Sequence, residues 1–334
     1  MKAIVQQRYG SSETLRLLDV DPPAPAEGEV LVRVRAAAVN ARDWHIMRGD
    51  PYLARLMMPS MFGRHAPRRQ IRGSDFAGVV EAVGAGVTRF APGDEVYGDL
   101  REDDGAFAEL VRVPVGFVGH KPAGLTFEQA AAVPLAGTTA LVALRDYGRV
   151  RAGQHVLING ASGGVGTFAV QLAKAFGATV TGVCSTRNAE LIAELGADHV
   201  VDYTREDFTR TGERYDVMLD LVGNRTLGEC QRVLAGDGTL VLAGGGMSGG
   251  GRPSLFGPMA LITRATLAAR LGNRRIRPLP NVPPSAEVLA TLREYLEAGQ
   301  ITPAVDRTYP LHRAAEAMRY LEIEHARAKV VITA

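Results

Sequence analysis

Cysteine is almost missing from this chain: Cys184 and Cys230 are the only two among 334 residues. Two cysteines set neither a disulfide framework nor a four-cysteine metal site. Lysine is nearly as scarce, with Lys2, Lys121, Lys174 and Lys329 making up four of the 38 basic residues. A net charge of +2 leaves no broad basic footprint for nucleic acid. No apolar run approaches the length of a membrane span. The opening MKAIVQQRYG lacks the apolar core of a secretion signal. The expectation is a protein of the reducing cytoplasm, with no nucleic-acid and no membrane partner. Trp44 is the single tryptophan and is expected in the core. There are no internal repeats, and the one biased tract is residues 244–251. What remains is ordinary for a globular protein: 46% hydrophobic and 22% charged residues, in a chain long enough for two domains.

The most informative stretch is residues 155–177, HVLINGASGGVGTFAVQLAKAFG. His155–Asn159 is short and apolar, as a buried parallel strand is. A cluster follows in which Gly160, Gly163, Gly164 and Gly166 surround Ser162 and Val165. Residues 167–176 then form an apolar run without Pro or Gly, closed by Gly177 at a helix C-cap position. Strand, glycine turn and helix together point to a phosphate ligand. Glycine lets the backbone come close, and a helix start offers free N–H groups and partial positive charge. The spacing Gly160-x-x-Gly163-x-x-Gly166 is a variant of the dinucleotide fingerprint. Glycine clusters also build plain turns, so the flanks decide. They supply a strand at 179–183, a helix at 189–195 and a strand at His199–Asp202, completing a βαβαβ unit.

The rest of the chain divides around this unit. Residues 1–125 are β-rich, with short strands separated by Gly and Pro turns, as in a compact barrel. Glu29–Val39 (EVLVRVRAAAV) alternates like a half-buried strand. Residues 126–282 alternate strand and helix, with buried strands at Tyr215–Asp220 and 239–243 and an edge strand at 274–279. Amphipathic helices are expected at 285–297 and 314–322, and a last strand at 328–333. Residues 255–271 are strongly apolar and fit a lid, a subunit contact or a core helix equally well.

Five blocks stand in one order: Val39-Asn40-Ala41-Arg42-Asp43, residues 73–80 (GSDFAGVV), residues 92–98 (PGDEVYG), residues 134–140 (PLAGTTA) and the glycine turn. With them the chain resembles the medium-chain dehydrogenase/reductase superfamily, and within it the zinc-independent quinone oxidoreductase branch, nearly end to end. The resemblance implies an α/β fold: a Rossmann doubly wound parallel sheet (126–282) inserted in a split, β-rich GroES-like catalytic domain (1–125 and 283–334). The active site would lie between them. It also implies a homodimer through the edge strand. The zinc branch places a cysteine where this chain has Asn40, and the lobe that bears structural cysteines there has none here. His45, His65 and His120 make no convincing zinc set, so no metal is expected.

The second strand ends in Cys184-Ser185-Thr186-Arg187-Asn188, with hydroxyls and a guanidinium where an NAD site would carry an acid. Those groups suit a 2′-phosphate, so the expected cofactor is NADPH. Ser185 and Thr186 also suit a helix N-cap. The resemblance adds Tyr203 near the adenosine ribose. It adds Asn40, Thr139, Gly244 and Gly245 around the nicotinamide, and Val222 and Gly223 along the crevice. Arg327 and Lys329 would approach the cofactor or sit on a solvated face. The chain shows no nucleophile motif and no spaced carboxylate pair. The expected chemistry is hydride transfer to a quinone or to the β-carbon of an α,β-unsaturated carbonyl, with Asn40 among the oxygen-binding donors and Tyr52 or solvent as proton source. Asp43 reads as a structural acceptor rather than an acid. Three other readings stand beside this one. One is an enoyl reductase serving a carrier protein, its phosphopantetheine arm met by Arg64, Arg68, Arg69 and Arg72. Another is an NADPH-binding protein without turnover, and the weakest is a zinc alcohol dehydrogenase.

Overall fold

The chain is described from a computed structural model covering residues 1–59, 61–244, 259–280, 282–283, 285–324 and 326–334. Gly245, the glycine tract, the first part of the 255–271 segment and His325 lie outside the described residues. Seven strands come first: β1 (Lys2–Gln6), β2 (Leu15–Asp19), β3 (Glu29–Val39), β4 (Asp75–Val83), β5 (Glu95–Asp99), β6 (Leu110–Pro114) and β7 (Val118–His120). β1 and β2 form their own antiparallel pair. β3 is the spine of the larger sheet. It pairs β4 along one side, while its start pairs β6 and its end pairs the last strand of the chain. The expected alternation holds only in its middle, where Arg33 and Arg35 are exposed; residues 30–32 and 36–39 are buried on both faces, as the spine of the sheet.

Six parallel strands follow: β8 (His155–Asn159), β9 (Thr179–Cys184), β10 (His199–Asp202), β11 (Tyr215–Asp220), β12 (Leu234–Leu242) and β13 (Ile276–Pro278). Their order is β10-β9-β8-β11-β12-β13, the doubly wound arrangement that reverses direction beside β8. β14 (Val305–Pro310) and β15 (Lys329–Thr333) return to the first sheet, whose order is β14-β15-β3-β4-β5-β7. The carboxyl end of β3 and the start of β15 therefore lie side by side, with Val39 opposite Val330. That register puts Asn40 and Lys329 in one place although 289 positions separate them.

Helices α1 (Ala41–Arg48), α2 (Tyr52–Met57), α3 (Phe127–Ala131), α4 (Pro134–Val142) and α5 (Gly164–Ala175) occupy the first half of the chain. The first four were not among the expected elements. α4 (PLAGTTALV) is apolar almost all round because it is buried between α5 and the helix at Ala286–Glu297, so no polar stripe marks its period. α5 starts at Gly164 rather than at the expected Thr167. Glycine is a poor helix former, but Gly166 in this first turn lies against the carbonyls of the turn that follows β8 and leaves no room for a side chain. A β-carbon on Gly166 would stand 2.2 Å from the Gly160 carbonyl oxygen. The strand expected at 107–113 begins three residues later. Phe107 is instead fully buried in a connecting segment, where its amide and carbonyl bond Arg72 and Ile4.

Candidate functional site

The site is built at the carboxyl end of β8. Gly160 takes φ +90°, which reverses the chain, and a β-carbon there would meet Val222 Cγ2 at 2.8 Å. Gly163 caps α5 in extended geometry. The amides of Gly164, Val165 and Gly166 precede the first intrahelical bond, from Thr167 N–H to the Gly163 carbonyl at 3.0 Å. Such first-turn amides bear the positive end of the helix dipole and suit an anion.

Two loops close on this turn. Burial pushes the Asp220 carboxyl above its ordinary range. Asp220 Oδ1 accepts the Val222 amide at 3.0 Å, the Gly223 amide at 2.9 Å and Asn159 Nδ2 at 2.9 Å. That ties β8 to the loop after β11. Gly244, two residues past β12, lies against the Leu221 carbonyl oxygen, 2.3 Å from where its β-carbon would be. On the other side Asn188 Nδ2 donates to Ser162 Oγ at 3.0 Å and Ser185 Oγ at 3.3 Å. Asn188 is 4% exposed and joins the glycine turn to the loop after β9. Its role was not read from the sequence, where it stood only as the end of Ser185-Thr186-Arg187-Asn188.

At the expected adenosine end, Thr186 and Arg187 are exposed and Tyr203 is 55% exposed, so these groups face solvent beside the crevice. Asp202, at the end of β10, accepts the Thr186 hydroxyl. The missing acid of the second strand thus has a neighbour on the third. Its Oδ1 also takes the amide and hydroxyl of Thr204 at 3.0 and 2.7 Å, and these bonds hold the carboxyl below its ordinary range. Arg187 Nη2 donates to the Glu324 carbonyl at 2.9 Å, which links the dinucleotide sheet to the C-terminal segment.

A buried polar cluster lies where the seven-stranded sheet meets the glycine turn. Ala328, at φ +52°, donates its amide to the Ser162 carbonyl at 2.7 Å, so β15 begins against the glycine turn. Lys329 then runs past α5, its Cδ 2.8 Å from where a Gly164 β-carbon would be. Its ammonium donates to Asn40 Oδ1 and lies 3.4 Å from Asp75 Oδ2. Asn40 Nδ2 donates to Asp75 Oδ2 at 3.1 Å, and the Leu135 amide of α4 donates to Asp75 Oδ1 at 3.1 Å. Lys329 is 2% exposed and Asp75 is fully buried. Desolvation pushes the Asp75 carboxyl up, Lys329 opposes that shift, and Asp99 and Asp43 add to it. Asp75 stood in the sequence only inside the GSDFAGVV block. Its signal there was an acid in an apolar strand.

The remaining candidates separate. Asn40 is the N-cap of α1, and its amide donates to Asp43 Oδ2 at 2.8 Å. Asp43 is therefore a structural acceptor, pushed up to about 6 chiefly by burial. Trp44 is core, 3% exposed. Thr139 on α4 donates to the Leu135 carbonyl at 2.7 Å, on the helix whose first turn holds Asp75. Tyr52 is 47% exposed, with the Arg55 guanidinium 4.4 Å from its ring centre. Arg327 is half exposed and lies 3.1 Å from the largely buried Asp306 carboxylate, apart from the buried cluster that Lys329 enters. Of the four loop arginines, Arg72 is buried against Asp104 at 3.0 Å and Arg69 is bonded to Asp103, which spends half of the expected basic groove on internal pairs. Among the described residues no three His, Cys, Asp or Glu side chains gather as a metal site.

With this geometry in place, the kinship of the chain is informative. Residues 26–134 match the alcohol dehydrogenase GroES-like domain, and residues 195–332 match a family described as zinc-binding dehydrogenase. The chain belongs to the medium-chain dehydrogenase/reductase superfamily. Within it, the chain sits in the quinone oxidoreductase-like branch. It is 34% identical to 2-methylene-furan-3-one reductase of Solanum lycopersicum, over 99% of this chain and 79% of that protein. It is 33% identical to the chloroplastic NADPH-dependent alkenal/one oxidoreductase of Arabidopsis thaliana, with the same coverage. The quinone oxidoreductase structure from Coxiella burnetii aligns with TM-score 0.86 at 30% identity, covering 100% of this chain and 99% of that one. The chain is thus an oxidoreductase of a nicotinamide-dependent family, with the expected α/β pairing of a GroES-like and a Rossmann unit.

Proposed function

We propose that this chain is a zinc-independent NADPH-dependent reductase that passes hydride to the β-carbon of an α,β-unsaturated carbonyl or to a quinone. The observation that carries the reading is the glycine turn at the carboxyl end of β8, whose first-turn amides open beside the buried Lys329. The pyrophosphate would lie on Gly164, Val165 and Gly166, and the 2′-phosphate near Ser185, Thr186, Arg187 and Tyr203. The nicotinamide end would reach toward Thr139, Gly244 and Asn40, past Val222 and Gly223. When bound, the dinucleotide supplies the hydride.

The residues of the chain orient, exclude water and handle the proton. Val222 and the β15 entry wall the crevice. Asn40 is held rigid by Lys329 and Asp75, so its amide is a positioned part of the floor rather than a free donor. Tyr52 stands exposed on α2, where its hydroxyl is open to solvent protons. An asparagine in place of a cysteine ligand supports chemistry without a metal, because a neutral amide is a poor zinc ligand. The carrier-bound alternative loses support, since Arg69 and Arg72 are already paired. The relatives named for enone and quinone reduction favour small acceptors.

The cofactor preference is tested on Arg187. Arg187→Ala is expected to raise the NADPH Michaelis constant about tenfold or more, as loss of one charge-assisted phosphate bond does. NADH constants should stay within about twofold. Equal losses for both cofactors would refute a phosphate role. We also propose a homodimer, because β13 is an edge of the six-stranded sheet and exposed edges pair readily. Light scattering on the purified chain is expected to give twice the 35.6 kDa chain mass, and a monomer mass would remove that proposal.

A further inference from the structure

We propose that dinucleotide binding draws Lys329 away from Asp75 toward the anionic ligand, and that Asp75 takes up a proton from solvent in exchange. The inference rests on the NADPH reading above and adds a proton linkage to it. Its ground is the placement of one cation between two anionic sites. The Lys329 side chain crosses the first turn of α5, where the pyrophosphate belongs, and its ammonium ends between Asn40 Oδ1 and Asp75 Oδ2. The ammonium carries a single charge, so its movement toward a phosphate lengthens the 3.4 Å contact with the carboxylate and weakens the compensation there.

Asp75 cannot easily stay ionised without it. The carboxylate is fully buried, and burial disfavours its charged form. The charges facing it from neighbouring elements make this worse. Asp99 on β5 and Asp43 on α1 both oppose a negative charge on Asp75, while Lys329 on β15 offsets them. Arg42 and Arg72 nearby are engaged by Asp104, at 2.9 and 3.0 Å. The Leu135 amide on Oδ1 and Asn40 Nδ2 on Oδ2 help the carboxylate but also tolerate the acid: with the proton on Oδ2, Oδ1 stays the carbonyl that accepts from Leu135, and the hydroxyl oxygen keeps a lone pair for Asn40 Nδ2. The balance is simple: Lys329 remains an ammonium, the Asp75 carboxylate becomes a carboxylic acid, and one proton leaves the buffer per ligand bound.

Calorimetric titration of the full chain with NADPH in two buffers of different ionisation enthalpy reads this directly. At pH 8 the 2′-phosphate, with a pKa of about 6, is already fully charged and contributes little. The expected result is uptake of more than about half a proton per NADPH, the larger part of one carboxyl titration. Asp75→Asn should bind NADPH with a heat that no longer depends on the buffer. The infrared difference spectrum of the wild-type chain with and without NADPH should show a new protonated-carboxyl band, which needs no variant to fold. Binding with a buffer-independent heat and no such band would overturn the proposal while leaving the NADPH reading intact. Uptake undiminished in Asp75→Asn would also overturn it. No binding heat at all would sink both.

Discussion

Gly166→Val is expected to weaken NADPH binding by about 100-fold or more, equivalent to about 2.7 kcal/mol. The reason is space, not backbone strain. A β-carbon at Gly166 would lie 2.2 Å from the Gly160 carbonyl oxygen, 2.5 Å from the Ala161 carbonyl oxygen and 2.6 Å from the Ala161 carbonyl carbon. All three are backbone atoms, so no side chain can swing away. The turn itself must open, yet the amides of Gly160 and Ala161 are bonded to the Val183 carbonyl at 3.2 and 3.0 Å. Opening it moves α5 off the end of β8 and misaims the amides of Gly164 and Val165. Stability should also fall, by about 1–3 kcal/mol as in other overpacked sites. Gly228→Ala is the control, because nothing lies within 4 Å of the new methyl and Gly228 is helical. That change should leave binding alone and add up to about 1 kcal/mol of stability. Fluorescence titration with NADPH and thermal melts check both variants. Equal NADPH affinity in Gly166→Val and wild type would show that the turn does not hold the dinucleotide.

Lys329→Met is expected to carry the largest stability effect, and one that depends on pH. Removing one partner of a buried ion pair costs about 3–5 kcal/mol when the other is left charged. Here Asp75 would face Asp99 and Asp43 with no cation, and Asn40 Oδ1 would lose its donor. The carboxyl has an escape, which is to take a proton. Its folded pKa, already raised, rises further above the unfolded value of about 3.9. An acid raised by folding binds more protons folded than unfolded, so stability falls as pH climbs through the folded pKa. The loss relative to wild type should therefore be small up to about pH 7, where Asp75 titrates with Lys329 in place, and grow by about 1.4 kcal/mol for each pH unit above that, up to about pH 9. Melts across that range test this. A difference that stays constant with pH would mean that Lys329 acts by packing alone. NADPH affinity should drop about tenfold, as loss of one charged hydrogen bond predicts.

The dinucleotide half of the molecule was readable because its signals are local. Each parallel strand is a short apolar run, and the glycine spacing needs only seven positions. The start of α5 was misplaced for the same local reason, since glycines read as loop until their close approach to β8 is seen. The buried cluster was not readable as a cluster. Asn40, Asp75 and Lys329 come from three strand ends, and only the pairing of β3 with β4 and β15 brings them together. Asn40 and Lys329 were each identified through family resemblance, while Asp75 entered only as part of a sequence block. Tyr52 shows the converse. Its position in the chain drew attention, yet its ring stacks on Arg55 with half its surface open to solvent. Of the first four helices, α4 was missed because a buried helix carries no polar face to reveal its period, and α1, α2 and α3, at eight, six and five residues, are too short to show one.

The central claim is a metal-free transfer of hydride from NADPH held on the glycine turn. NADPH carrying deuterium at the transferable nicotinamide C4 position, mixed with chelator-treated chain and an α,β-unsaturated ketone, tests it most directly. Mass spectrometry and NMR of the product are predicted to place the label on the β-carbon, at a rate unchanged by the chelator, with a 1,4-quinone as a second acceptor consuming NADPH. Label on the carbonyl carbon, transfer only after zinc is restored, or NADPH left unconsumed with both acceptors would contradict the account.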